Sequence, residues 1–501
     1  MSLLIRGGRI LSGASPALTR ADVLIDADRI AAVGPALTAP EGTGVIDAGH
    51  HIVLPGLANA HTHAGSHLVR GRAGNWTLED LLTHTPANYA FRTPEDEYLS
   101  AAIGAIEMLK TGCTAAYDLF IALPAVTDET FEAVARAYGD IGARVVLAPA
   151  VADIVFHETV PGLLDLLPPD LRRTVQDIAP APTKGLLDLT ARLIKRWHGT
   201  AEGRVRIAAS PTIPNQATDE LLDGFVRLAR EHGVGIHTHL AESKVQVIES
   251  RRRHGRSIVS RLAEHGVLGP GFVGAHGVWL GDDDIRMLAD AGAAVAHNPG
   301  SNLRLGCGIA PVRELLDRGV AVGLGTDGSV CADNQNLFEA LRIASVISTV
   351  RFPHETSRWL DAATVWEMAT AGSARVLGLS SDLGAVAPGK LADLVLLRAD
   401  SVFLQPLADP VTALVYAETG AGVDTVLVGG RVVVERGRVT TVDEDRIYAR
   451  AQAAAERQRA QSSQAWVLAG QLAPYVGAAC RDAVATPLDF NRYAAPIPTQ
   501  A

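Results

Sequence analysis

The chain has 501 residues, a formal net charge of −10 and 48% hydrophobic residues, with 48 glycines and 26 prolines. That length buries a large core and exceeds the usual single-domain size, while the acidic balance, with a pI near 5.9, disfavours nucleic acid as a partner. No run of about 18 apolar residues is present to span a bilayer, the opening Met1 to Gly8 is too short for a signal peptide, and the scattered Cys113, Cys307, Cys331 and Cys480 form no disulfide framework, so a cytoplasmic chain that avoids membranes is expected.

Residues 1–55 read as short strands and turns: Leu3–Ile5, Arg9–Leu11, Val23–Ile25, Ile30–Val33, Gly44–Ile46 and His51–Leu54. The pattern then changes to strand, loop and helix, repeated. Eight short runs are apolar on both faces, as strands of a buried parallel sheet are. They are Leu57–Ala60, Ala115–Tyr117, Val145–Ala148, Arg206–Ala209, Gly235–His237, Val273–Ala275, Ala294–Ala296 and Val322–Leu324. Thr93-Pro94-Glu95 starts a helix with a hydroxyl cap, Pro at the first position and acids in the first turn. Thr218-Asp219-Glu220 starts another, with Leu221, Leu222, Phe225 and Leu228 on one stripe and Gly233 at its end. Eight strands alternating with helices predict a (β/α)8 TIM barrel over residues 56–384.

The segment from His157 to about Trp197 exceeds a usual βα connection and carries Pro168, Pro169, Pro180 and Pro182, which marks an insertion near the active-site mouth. Strands return in 385–440 at Leu394–Leu397, Thr425–Val428 and Arg431–Val434. Ile5 to Ile10 and Leu427 to Val432 look like two copies of one Gly-Gly hairpin, so segments 1–55 and 385–440 are expected to pair as one small β-sandwich domain. In 441–501 an Ala/Arg/Gln-rich helix is expected from Asp443 to about Ala465, then a polar tail from Thr486 as a surface strap or a disordered end.

The chemistry gathers where strands end. Pro55 to His63 closes on His61-Thr62-His63, and residues two apart on a strand project to one face, so both imidazoles can hold one ion. Alone this pair is a weak sign, but further groups follow in order. His239 ends the fifth strand as a third ligand, and Glu242 stands three residues on as a proton shuttle. His237 reads as buried and structural, His276 ends the sixth strand and Asp327 the eighth. Nitrogen and oxygen donors of this kind suit one divalent metal ion, zinc first, with iron, manganese and cobalt also fitting. Strand four, Val205–Thr212, has no Lys or Glu to bridge a second ion.

Pro55–His63 with Arg70-Gly71, His237–Glu242, Ala275-His276, His297–Asn302, Gly323–Gly328 and Ala387–Asp393 together resemble the amidohydrolase superfamily over roughly residues 1–440. The resemblance is to its branch of s-triazine hydrolases, S-adenosylhomocysteine/methylthioadenosine deaminases and guanine deaminases. It implies an α/β fold in which a small β-sandwich flanks a distorted (β/α)8 barrel, with His61, His63, His239 and Asp327 as metal ligands. A divalent ion there lowers the pKa of its bound water to roughly 7. In that scheme Asp327 takes the water's proton, His276 orients the water or stabilises the tetrahedral centre, and Glu242 delivers a proton to a substrate nitrogen.

The expected activity is hydrolysis of a C–N bond in a small molecule, by deamination of an aminated N-heterocycle of triazine, pyrimidine, purine or pterin type. Hydrolysis of a linear amide, urea or carbamate is the alternative, and a non-catalytic scaffold the remote one. His67, Trp76 and Asn334 are the substrate-binding candidates: His67 to hydrogen-bond, Trp76 to cover a ring, Asn334 and its neighbour Gln335 to read amide edges. The loop Ser210 to Asn215 carries no histidine, where nucleoside deaminases of this branch have one. That departure turns the expectation away from S-adenosylhomocysteine and methylthioadenosine, toward a small neutral heterocycle or aryl compound. By analogy with relatives a homo-oligomer, dimer or higher, is expected, with the C-terminal helix supplying contacts.

Overall fold

The computed structural model describes residues 2–13 and 17–493. Among these, five strands come first: β1 (Ser2–Ile10), β2 (Thr19–Asp26), β3 (Arg29–Gly34), β4 (Gly44–Asp47) and β5 (His51–Pro55). The strands interleaved with helices follow: β6 (Leu57–Thr62), β7 (Cys113–Phe120), β8 (Arg144–Val151), β9 (Val205–Ile207), β10 (Ser210–Pro211), β11 (Ile236–Leu240), β12 (Phe272–His276), β13 (Ala294–His297) and β14 (Ala321–Leu324). Four more complete the set: β15 (Leu394–Arg398), β16 (Val423–Val428), β17 (Arg431–Glu435) and β18 (Arg438–Val439).

The two ends of the chain share one sheet, in the order β18-β17-β16-β15-β5-β1-β2-β3 with β4 beside β1. The join is antiparallel, β5 on β15, with Leu54 opposite Val395. Alternate residues from both arms, among them Ile5, Val23, Ile25, Val53, Leu394, Leu396 and Leu427, gather in one apolar cluster, so the sheet curls over its own core. Residues of the other face (Ile52, Leu54, Val395, Leu397) join the main core. The two Gly-Gly segments differ. Val428 pairs with Arg431 across a true hairpin, but Ile5 to Ile10 remains one strand with a register shift between Ile5 and Gly8. Gly7 has φ +71 and its N–H donates to Asp22 Oδ1 at 2.7 Å, the geometry of a bulge rather than of a turn.

Every run expected as a barrel strand is found, the fourth divided into β9 and β10. They form two parallel arcs, β6 to β10 and β11 to β14. The arcs meet where Ala209 bridges Ile236, with His239 N–H donating to Thr212 O at 3.0 Å. The opposite seam, β14 against β6, has no regular ladder. There the Asp327 N–H donates to His61 O at 2.9 Å, and a Cβ on Gly323 would stand 2.8 Å from Ala60 Cβ. The barrel is distorted at this seam, which is also where the functional side chains gather.

Thr93 and Asp96 cap the helix Pro94–Lys110 reciprocally, and Thr218 caps Asp219–His232, which ends at Gly233 with φ +64. The insertion folds as helices Leu163–Leu166, Pro169–Gln176 and Thr183–Trp197. The single C-terminal helix expected to about residue 465 is two, Glu444–Gln461 and Ser463–Ala485. Pro474 lies inside the second; a proline there removes a helical hydrogen bond, but Leu472, Val476, Ala479 and Ala483 bury against Val245, Ile248 and Leu163, and that packing holds the helix. The tail then runs as a strap to residue 493: Ile309 N–H donates to Arg492 O at 2.7 Å, and the Tyr493 ring stands edge-on to Trp279 at 4.8 Å. The rest of the expected tail, 494–501, lies outside the described residues. Among the described residues no helix is long and apolar enough to cross a membrane.

Candidate metal centre

The side chains that matter sit where parallel strands run out at their carboxyl ends. β6 carries His61 and is followed by His63, β11 carries His239, β12 ends at His276, and Asp327 follows β14. His61 Nε2 and His63 Nε2 lie 3.5 and 3.2 Å from Asp327 Oδ1. His239 Nε2 faces His63 Nε2 at 3.2 Å. His276 Nε2 lies 3.9 Å from Asp327 Oδ2 and 3.6 Å from Glu242 Oε1. All six side chains are buried.

Three residues here hold left-handed backbone without being glycine: Ala241 (φ +47), His276 (φ +74) and Asp327 (φ +62). Each costs about 1–2 kcal/mol and re-aims the chain as a strand ends. The loops after β11 and β12 are tied together, Gly277 N–H to Leu240 O at 3.0 Å and Trp279 N–H to Ala241 O at 2.8 Å, which keeps Glu242 beside His276.

The donor set fits a cation. His63 Nδ1 lies 2.7 Å from Leu119 O and His239 Nδ1 bonds Thr212 O. Each Nδ1 therefore carries the proton and turns Nε2 inward, the usual arrangement of a metal-ligating imidazole with its outer nitrogen on a carbonyl. Both nitrogens of His61 are buried without a hydrogen-bond partner, as is His276 Nε2. Donor atoms of His61, His63 and His239, and of His61, His276 and Asp327, lie within 4.8 Å of one another. Burial pushes the His61 pKa down to about 3 and the His239 pKa well below 6.5, so both stay neutral and can ligate. For Asp327 the burial penalty is outweighed by His61 and His63, which hold its carboxylate charged.

Glu242 is in the opposite state. Burial first, then the nearby Asp327 and Glu79 charges, raise its pKa well above the usual carboxylate range. Their surroundings thus push the two carboxyls in opposite directions, Asp327 toward the charged form and Glu242 toward the protonated one, both beside His276. His276 Nδ1 lies 2.9 Å from Asn302 Oδ1, which fixes the ring with Nε2 toward both.

The structure thus brings together His61, His63, His239, His276, Asp327 and Glu242. His67, Trp76 and Asn334 have partners of their own. His67 is buried with Nδ1 3.1 Å from Ala64 O and lies against helix Pro94–Lys110, where a Cβ on Gly104 would meet its ring at 2.2 Å. Trp76 stacks on His84 at 4.3 Å, with Trp466 of the C-terminal helix at 5.8 Å. The Asn334 amide donates to Glu339 at 2.6 Å and its oxygen accepts the N–H of Asn336, the cap of the next helix, at 3.0 Å. His237 is buried, with its ring 5.0 Å from that of His61.

Sequence reasoning missed the network behind Asp327. Gln335 Nε2 donates to Asp327 O at 2.7 Å, and Gln335 Oε1 accepts from Thr326 Oγ1 at 2.8 Å and from Thr62 Oγ1. Asn59 Nδ2 donates to Thr326 Oγ1 at 2.7 Å. The available signal was a polar residue inside the otherwise apolar run of β6, where a buried asparagine demands partners.

A His/Asp cluster at the carboxyl ends of parallel barrel strands defines the class as enzymes that hydrolyse small molecules around a divalent metal site. The chain belongs to the amidohydrolase family, whose profile matches residues 52–433. It is 36% identical over 455 residues to a 5'-deoxyadenosine deaminase of Methanothermobacter thermautotrophicus, covering 91% of this chain and 98% of that protein. It is 34% identical over 462 residues to a 5-methylthioadenosine/S-adenosylhomocysteine deaminase of Desulforudis audaxviator, covering 91% and 99%. Among solved structures it superposes on atrazine chlorohydrolase from Arthrobacter aurescens TC1 complexed with zinc, with TM-score 0.81 and 30% identity, covering 90% of this chain and 100% of that one.

Proposed function

We propose that this chain deaminates an aminated N-heterocycle by metal-assisted attack of water. The observation that carries the reading is the meeting of two carboxyl groups on His276, whose Nε2 lies 3.9 Å from Asp327 Oδ2 and 3.6 Å from Glu242 Oε1, beside His61, His63 and His239. His61, His63, His239 and Asp327 would hold one divalent ion, which supplies Lewis-acid activation of a water at neutral pH. Zinc is our choice of ion, supported by the zinc complex of a solved relative. Asp327 accepts the proton of the attacking water as oxygen joins the carbon bearing the amino group. Glu242 gives its proton to the adjacent ring nitrogen, and His276, whose Nδ1 is turned to Asn302, orients the attacking water by accepting from it at Nε2. Return of a proton to the amino group releases ammonia and leaves the oxo-heterocycle.

Adenine nucleosides without a 5'-phosphate are the first substrates to test, because two relatives aligned over nearly their whole length are named for them. This reverses the emphasis that the histidine-free loop at Ser210 to Asn215 placed on smaller rings. In the structure that loop supports the site instead: Thr212 O accepts from His239, and Asn215 donates to Gln246 O at 2.8 Å. The test is ammonia release from a panel of 5'-deoxyadenosine, methylthioadenosine, S-adenosylhomocysteine, aminotriazines, aminopyrimidines and pterins, beside chloride release from chlorotriazines and amine release from anilides and ureas. Turnover confined to anilides or ureas would sink deamination. We further infer a cytoplasmic, homo-oligomeric enzyme. The described cysteines are all unpaired and buried, as suits a reducing compartment, and the C-terminal helices leave Tyr448 and Val467 exposed, which supports contact between copies there.

A further inference from the structure

At the amino-terminal end of the barrel, opposite the metal cluster, the interior is incompletely filled. Inward positions of the strands carry small residues such as Ala115, Ala208 and Ala294. Ala294, Gly235 and Gly271 line a cavity of about 310 Å3 there, at the lower end of the range for cavities that bind small ligands. Its walls include Arg206, Arg375, His198 and Tyr117, and no aspartate or glutamate lines it.

Each polar wall group has a donor to spare. Arg206 has Asp382 only at 3.9 Å, and Arg375 pairs with Glu367 at 3.1 Å through one nitrogen, whereas a guanidinium offers five N–H donors. His198 meets Ile207 N and Ile207 O through Nδ1 at 3.1 and 3.3 Å, which leaves Nε2 for a ligand. Tyr117 is 2% exposed. Its hydroxyl stands 3.4 Å from where a Cβ on Gly235 would lie, against the cavity wall, and burial is the one influence on it. A phenolic hydroxyl placed there can donate to an acceptor in the cavity.

We propose that this cavity binds a small oxyanion, a carboxylate or phosphate group, gripped by Arg206 and Arg375 with the Tyr117 hydroxyl and His198 Nε2 donating to its oxygens. Guanidinium forks match both groups in geometry and charge, and the absence of acidic wall residues leaves no competitor inside. The site is separate from the catalytic one: the Tyr117 ring is edge-on to His237 at 4.1 Å, and His237 in turn stands between Tyr117 and His61.

The test is calorimetric titration of the metal-replete protein with inorganic phosphate and, separately, with succinate, chloride being the only other anion. Saturable binding of either probe, one per chain with a dissociation constant of about 1 mM or tighter, is expected, and the stronger probe identifies the ligand group. Arg206→Gln and Arg375→Gln should each weaken it about tenfold, and Tyr117→Phe about threefold. Arg375 is on an exposed helix position, so its variant keeps the test open where Arg206→Gln fails to fold. Asp327→Asn should bind as the wild type does. No saturable binding by either probe, binding unchanged in both arginine variants, or binding lost in Asp327→Asn would each overturn the proposal, without touching deamination.

Discussion

The backbone N–H of Asp327 donates to the carbonyl of His61 at 2.9 Å, joining the last barrel strand to the first where no ladder does. Two residues of the candidate site thus bridge this seam themselves. The bond is held from behind by Gln335, which grips the Asp327 carbonyl and the Thr62 hydroxyl together.

Replacing Gln335 by Ala should therefore damage catalysis without removing the ion. The Asp327 carbonyl and the Thr326 hydroxyl lose a buried partner, a cost of about 1–3 kcal/mol, and a carboxylate displaced by about 1 Å can lose about a hundredfold in rate. Turnover about tenfold to a hundredfold below wild type is expected, with metal content unchanged by elemental analysis. Wild-type turnover would show that the loop positions Asp327 unaided.

Glu242→Gln keeps the shape of the side chain and its burial but removes the acidic proton. General acids of this kind contribute about 10²–10⁴ in rate, so kcat should fall by at least about a hundredfold while metal is retained. Activity within about tenfold of wild type would take Glu242 out of the mechanism.

His239→Ala deletes one inward-facing nitrogen together with its Nδ1 contact to Thr212 O. The purified variant should hold almost no divalent ion, and chelation of the wild type should abolish turnover, restored by adding zinc. Full metal occupancy in the variant would move the ligand set away from His239.

Acid should destabilise the fold through His67. Burial holds its pKa down to about 3 in the folded chain, against 6.5 when free. The unfolded chain takes up a proton below pH 6.5 and the folded chain does not. His67 thus contributes stability that is complete above about pH 6.5 and drains away as pH falls toward about 3, by at most about 1.4 kcal/mol per pH unit. His67→Gln should flatten the fall of Tm between pH 6.5 and 5 relative to wild type. An identical slope in the two proteins would mean that His67 is not buried and neutral.

Much of this was legible in one dimension, for identifiable reasons. A buried parallel strand needs a short apolar run, so all eight runs could be found, although not the break of the fourth into β9 and β10. Gly7-Gly8 and Gly429-Gly430 look alike as sequence, yet one is a bulge and one a hairpin, because Asp22 captures the Gly7 N–H across the sheet. The helix Ser463–Ala485 lies almost wholly beyond the end expected near Ala465; it contains Pro474, a local breaker, and its packing on Val245 and Ile248 outweighs that.

The metal-site residues were legible because they sit at strand ends, where direction follows from register. The pocket candidates sit in loops, where direction does not. His67 turned under a helix, Trp76 onto His84, and Asn334 to a cap. By itself, then, the sequence determined the barrel, the pairing of its flanking sheet and which imidazoles and carboxylate meet. Tertiary structure alone decided the opposite shifts of the Asp327 and Glu242 pKa values, the Gln335 network and the arginine-lined cavity beneath. A pKa or a cavity depends on what surrounds a group in space, and most of those neighbours lie far away along the chain.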